Sequence, residues 1–210
     1  MLNPYKKFIV PRLLNFKMGS ANLEGVRRTV VAGASGTALE IGAWSGYNLP
    51  LYRNISKLYA LEPSKELIAI ARTRAGSSLF PIEFLNTEAE HIPLPDCSVD
   101  TVVSTWTLCS VTDPQKVLDE VLRVLRPQGN FIFAEHGASP HAGLRTLQTA
   151  LTSVTKYLTG NCHYDRPFER LLKEAGFYIK KIEHPRERFK PLIYNYQGTA
   201  VPKKLSEKLP

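Results

Sequence analysis

The 210-residue chain is 43% hydrophobic and carries a formal net charge of +8. That length and apolar content suit one domain, residues 1–210, with a sizeable core. No window approaches the ~18 uninterrupted apolar residues of a membrane span. No apolar stretch followed by a small-residue cleavage site opens the chain. Its three cysteines (Cys97, Cys109, Cys162) form no CxxC pair, so neither a disulfide framework nor a metal site is expected and a reducing, cytoplasmic setting is the default.

Residues 4–18 mix basic and apolar residues around Pro11 and predict one or two short helices with Phe8, Ile9, Leu13, Leu14 and Phe16 on one face. Residues 22–32 predict a further helix ended by Gly33. Strands and helices then alternate. TALEIG is a first strand, followed by a turn from Asn48, and KLYALE is a second. SKELIAIARTRA is a helix capped by Ser64. IEFLNT is a third strand, and VDTVVSTWT is a fourth, apolar on both faces. DPQKVLDEVLRVLRPQG is a helix: Asp113 caps it, Pro114 opens it, and Pro127 and Gly129 close it. NFIFAEH is a fifth strand, a helix spans 140–160, RPFERLLKEAGF forms another, and YIKKIEH and LIYNYQGTAV supply two last strands. The pattern implies an α/β, Rossmann-like doubly wound sheet with right-handed crossovers and ligands at the carboxyl ends of the strands.

The basic excess gathers at the two ends of the chain, with no RNA-binding signature or zinc-finger spacing beside it. It reads as a soluble basic surface, and no nucleic-acid partner is expected. The N-terminal basic amphipathic stretch is compatible with peripheral membrane contact, although packing over the cofactor is the preferred role.

The turn after the first strand reads Glu40-Ile41-Gly42-Ala43-Trp44-Ser45-Gly46. A pyrophosphate-cradling turn needs G-x-G-x-x-G directly after the strand, and this spacing is wrong for it. A second acid, Glu62, ends the second strand, where a carboxylate can accept both hydroxyls of a ribose. A third, Glu88, follows the third strand. Three carboxylates at three strand ends repel a polyphosphate and suit a cationic cofactor with an adenosine attached.

With LEIG, the run NTEAEHIPLPDCSVDTVVSTWTLCSVTDPQKVLDEVLRVLRPQGNFIFAEHG resembles the class I S-adenosylmethionine (SAM)-dependent methyltransferases. The resemblance covers roughly residues 4–180 and is to the UbiE-like, methyltransferase type 11 group. Within it the chain is similar to small thiol and lipid methyltransferases through LCSV and a later C-x-x-x-R…AGF. It implies a mostly parallel seven-stranded sheet with an antiparallel final strand. An N-terminal helical lid (1–32), a cofactor core (37–136), an acceptor cap (137–165) and a C-terminal helix and strands (166–201) follow from it.

The resemblance also assigns roles. Glu40 would receive the cofactor's ammonium; Gly42, Ala43, Trp44 and Gly46 would form the loop under its methionine and ribose. Glu62 would hold the ribose, Pro63 would pack on the adenine, and Glu88 and Ala89 would meet the ring's amino and nitrogen groups. Ser104 and Thr105 would line the methionine side, and Tyr5 would close over the cofactor.

Trp44 departs from the small residue usual in the family. A bulky residue there limits φ > 0, and Trp44→Gly is expected to leave SAM affinity similar or tighter.

The cofactor carries the hard chemistry; the protein positions donor and acceptor and excludes water. His136 is the preferred candidate for a catalytic group, among Glu135, Cys109, Cys162, His163, Tyr164 and Arg166. The expected function is methyl transfer to a small lipophilic acceptor: a thiol, a quinol or phenol, or a lipid amine. The alternative is a SAM-binding, catalytically degenerate relative that works through protein interaction. A base-targeting nucleic-acid enzyme would carry N/D-P-P-[YF] where this chain has STWTLC.

Overall fold

Residues that alternate along each strand decide which layer packs on which face. Leu39 and Ile41, Val102, Phe131 and Phe133 point to one side of the sheet. Ala38, Val103, Ile132 and Ala134 point to the other, as the two-residue period of a strand requires. We describe residues 21–76, 78–156, 161–185 and 193–203 of a computed structural model. The helices expected over 4–18, and Tyr5 with them, lie outside the described residues.

In chain order the elements are α1 (Ala21–Ala32), β1 (Gly36–Ile41), a 3-10 turn at Leu49–Leu51, β2 (Ile55–Leu61), α2 (Lys65–Ala75), β3 (Ile82–Leu85) and β4 (Val99–Thr105). They continue with α3 (Pro114–Val124), β5 (Leu125–Gly137), α4 (Ala142–Thr155), α5 (Phe168–Glu174), β6 (Phe177–Glu183) and β7 (Tyr194–Pro202). One seven-stranded sheet has the order β3-β2-β1-β4-β5-β7-β6. The pairs from β3 across to β5 are parallel, and β7 runs antiparallel to both neighbours. The mostly parallel doubly wound sheet with an antiparallel final strand is therefore as expected.

Helix α3 shows why the core holds. Asp113 caps it, accepting from the Lys116 N–H, and Pro114 occupies its first turn. It then buries Val117, Leu118, Val121 and Val124 on the Phe131 side, each worth about 1.5–3 kcal/mol. Helix α2 is likewise capped by Ser64, which accepts from Leu67 N. Two boundaries differ from the sequence reading. Strand β3 stops at Leu85, because Asn86 uses its side chain on the Glu62 and Pro63 carbonyls. Helix α3 ends at Val124 instead of running to Gly129: Pro127 biases the residue before it away from helix, and Leu125 is already extended at ψ 135. Strand β5 accordingly opens earlier than expected, and Gly129 fits against the Asp100 carbonyl, 3.0 Å from where a Cβ would stand.

The strand order reverses between β1 and β4. Crevices outside the carboxyl ends at such a point are where open α/β sheets take ligands. Among the described residues no helix is long and apolar enough to cross a membrane.

Candidate active site

The turn after β1 is built by two positive-φ glycines and one positive-φ tryptophan. Gly42 (φ 66) faces Thr107, whose side chain would lie 2.2 Å from an added Cβ. Gly46 (φ 82) packs on Ala71 of α2 and on Leu49. Gly42 thus belongs to the cavities, whereas Gly46 lines neither of them and serves helix packing.

Trp44 adopts φ 50, a conformation that costs a bulky residue about 1–2 kcal/mol. Its N–H donates to Glu62 Oε2 at 3.0 Å, which holds the loop in place. Trp44 lines two adjoining cavities. The larger also carries Gly42, Glu62, Pro63, Glu88 and Ala89. The smaller carries Arg27, Glu40, Ala43, Tyr47, Asn48 and Thr105. The carboxylates expected at three strand ends therefore do come together around this loop.

Glu40 is fully buried. Asn48 Nδ2 donates to it at 2.7 Å and the Tyr52 hydroxyl at 3.0 Å. Burial pushes its pKa up to about 7, against the pull of those two hydrogen bonds and of Arg27. Glu62 is pushed up to about 7 by burial too, while its carboxylate accepts from Ser64 N and Trp44 N. Both acids are held by few donors for such buried groups, and both sit where a cation or a diol would complete them.

Two polar atoms are orphaned in the smaller cavity. Arg27 Nη2 and Asn48 Oδ1 are buried without a hydrogen-bond partner among the described residues. Arg27 is 3% exposed and lies between the rings of Tyr47 and Trp106, 5.2 Å from each. Burial lowers its pKa. A buried donor left unsatisfied costs about 1–3 kcal/mol, so the pair marks a place for a ligand with both an anionic and a cationic end. The amino-acid moiety of SAM is such a ligand, and Glu62, Pro63, Glu88 and Ala89 of the larger cavity could hold its adenosine half.

Arg27 was not among the residues expected from sequence. It stands on a helix read only as a lid. The signal available was its position in RRT ahead of LEIG, and that is too generic to single it out.

Ser104 and Thr105 separate. Thr105 accepts from Asn48 Nδ2 at 3.1 Å and lines the smaller cavity. Ser104 turns to the opposite side and donates to Glu135 at 2.6 Å. The reason is the alternation of β4, which sends adjacent side chains to opposite faces.

Glu135 is fully buried and also accepts from the N–H groups of Thr107, Leu108 and Cys109. With all those donors it anchors the loop after β4 and does not present a free base. His136 lines neither cavity. Its Nδ1 lies 3.3 Å from Cys162 Sγ and 3.7 Å from Cys109 Sγ, with its ring beside Trp106 and Tyr164.

The fold is shared by solved methyltransferases. A Haloferax volcanii putative methyltransferase, solved in complex with the Trm112 methyltransferase activator, superimposes with a TM-score of 0.71 over 91% of this chain and 96% of its own, at 16% identity. Fold and site together define a methyltransferase with an adenosine-bearing cofactor. Residues 39–133 match the methyltransferase domain family. The chain belongs to the class I SAM-dependent methyltransferases. It is similar to human thiol S-methyltransferase TMT1B, 31% identical across 94% of this chain and 85% of that protein. It is also similar to phosphatidylethanolamine N-methyltransferase of Cereibacter sphaeroides, 29% identical across 83% and 86%. The UbiE C-methyltransferase of Campylobacter jejuni matches over 49% of this chain, at 29% identity.

Proposed function

We propose that this enzyme methylates a small lipophilic thiol. The observation that carries the reading is the similarity to thiol S-methyltransferases over nearly the whole chain. The make-up of the cavity wall nearest the end of β4 supports it. Thr107, Ser110, Val111 and Thr112 stand there, none of them a base at neutral pH. Glu135, buried beneath that loop, is occupied by the N–H groups it anchors, and Glu90 of the same cavity accepts from Thr112 N and Asp113 N. A thiol ionises near pH 8–9 and attacks as the thiolate, so it needs less help than an alcohol or a phenol.

When bound, SAM supplies an electrophilic methyl group on a sulfonium. In this reading Arg27 would meet the carboxylate of its amino-acid part, Glu40 and Asn48 would meet the ammonium, and Glu62 would accept from the ribose. The loop around Gly42 and Trp44 lines both cavities. Gly42 and Thr107 fit each other so closely that the β1 turn and the β4 loop form one wall, which orients donor against acceptor. The setting proposed is cytoplasmic, with peripheral membrane contact as the second role, after packing over the cofactor, for residues 4–18. Vesicle co-sedimentation, with and without those residues, tests that last part.

The assay is methyl-labelled SAM with alkyl and aryl thiols, phosphatidylethanolamine and a quinol in parallel. Label on the thiols supports the proposal. Label on the amine or quinol alone replaces the acceptor and leaves the family assignment intact.

A further inference from the structure

The sequence places Cys109, His136 and Cys162 on three different elements, with no short spacing among them. The fold brings their donor atoms within 4.8 Å of one another at the carboxyl ends of β4 and β5. Cys109 and Cys162 are free, buried thiols whose sulfurs lie 3.3 Å apart. His136 Nδ1 completes the triangle at 3.3 and 3.7 Å. We propose that these three residues form a binding site for one thiophilic divalent cation, zinc foremost.

Tetrahedral zinc holds sulfur at about 2.3 Å and nitrogen at about 2.0–2.1 Å, so its donors stand roughly 3.5–3.8 Å apart. The observed triangle opens to that size by a few tenths of an ångström. Three protein donors leave a fourth position for water or another ligand. The site is framed without an ion. The His163 N–H donates to the Cys109 carbonyl at 2.7 Å, and Asn161 Nδ2 donates to the Ser110 carbonyl at 3.0 Å. Arg166 donates to the carbonyls of Leu108 and Val111. Positive φ at Trp106 (53) and Asn161 (69) sets the turns that lead into each cysteine. Segment 161–166 is thereby fastened to the β4 loop, and both sulfurs converge on the imidazole.

Charge selects the ion. Two thiolates and one divalent cation are neutral together, and the nearby Glu135 and Arg166 offset each other. A monovalent ion would leave a buried negative charge. Soft thiolate donors also favour zinc over magnesium or calcium. Without an ion, the Cys162 thiol donates to Cys109 Sγ and the Cys109 thiol donates to the Trp106 carbonyl. Binding replaces those two S–H bonds by two sulfur–metal bonds and sends two protons to the buffer.

The test uses full-length, tag-free protein, reduced and treated with chelator, titrated with Co2+ and then with Zn2+. The expected result is one equivalent of Co2+ with a thiolate-to-cobalt charge-transfer band, displacement by Zn2+, and about two protons released by calorimetry in two buffers. Cys109→Ser and Cys162→Ser should each weaken binding more than about 100-fold, beyond the 10–100-fold typical of indirect partners. Cys97→Ser, at an exposed cysteine outside the cluster, should leave it unchanged. X-ray absorption of the zinc-loaded wild type, which needs no variant to fold, should give two sulfur neighbours and at least one nitrogen. The proposal is overturned if the reduced protein binds neither ion, if cobalt binds without a sulfur band, or if Cys109–Cys162 oxidation to a disulfide is the only chemistry found.

Discussion

Arg27→Met separates a ligand-binding cation from a structural one. The guanidinium is 3% exposed, and Nη2 lacks a partner among the described residues. Its orphaned donor costs about 1–3 kcal/mol, and its contacts with Tyr47 and Trp106 return about 0.5–2 kcal/mol each. The two roughly cancel, and methionine fills the space of the arginine stem. The stability of the ligand-free protein should therefore change by no more than about 1 kcal/mol, read by urea unfolding. SAM affinity should behave differently. A hydrogen bond to a carboxylate is worth about 1.5–3 kcal/mol, so calorimetry should record a dissociation constant roughly 10- to 100-fold weaker, for SAM and for its demethylated product alike. Unchanged SAM affinity together with a stability loss of several kcal/mol would refute the reasoning and make Arg27 a core cation only.

Four further outcomes follow from the same geometry. Glu40 is raised from 4.5 to about 7 in the free protein, so below about pH 7 it holds a proton that a cationic ligand must displace. SAM should bind more tightly as pH rises from 6 to 8, with proton release, and Glu40→Gln should flatten that dependence in calorimetry. Because the folded pKa values of Glu40 and Glu62 lie above the unfolded one, their contribution is favourable below about pH 4.5 and lost as pH rises through 7. The ligand-free protein should be more stable at pH 5.5 than at pH 8, and a flat urea-midpoint profile would contradict this. Gly42→Ala meets Thr107 at 2.2 Å and takes a strained φ, for a loss of about 2–4 kcal/mol in unfolding experiments. Trp44→Gly relieves a strained φ but removes a wall of both cavities. SAM binding should therefore weaken several-fold, and equal or tighter binding, as expected from sequence alone, would show that the indole contributes nothing to the site.

The strand-end acids were legible because the sheet makes them so. Glu40 and Glu62 follow from strand periodicity and from where such sheets take ligands. The long run from Glu88 to His136 also carried the fold, since its apolar alternation and capped helix each set a local element. What escaped the sequence depends on contacts between distant segments. Arg27 acquires meaning only when α1 lies over Glu40. Ser104 and Thr105 divide because one faces Glu135 and the other Asn48. Cys109, His136 and Cys162 show no metal-like spacing, and three separate elements must fold before their donor atoms meet. Gly46 also meets Leu49 and Ala71 of α2, a packing need that its place in the turn did not reveal.

The account turns most directly on where the methyl group goes. Purified enzyme, methyl-labelled SAM and a hydrophobic alkyl thiol should give the labelled thioether and an equal amount of demethylated cofactor. Arg27→Met should slow the reaction at subsaturating SAM. SAM binding with no transfer to any thiol, while an amine or a quinol takes up the label, would contradict the proposed acceptor.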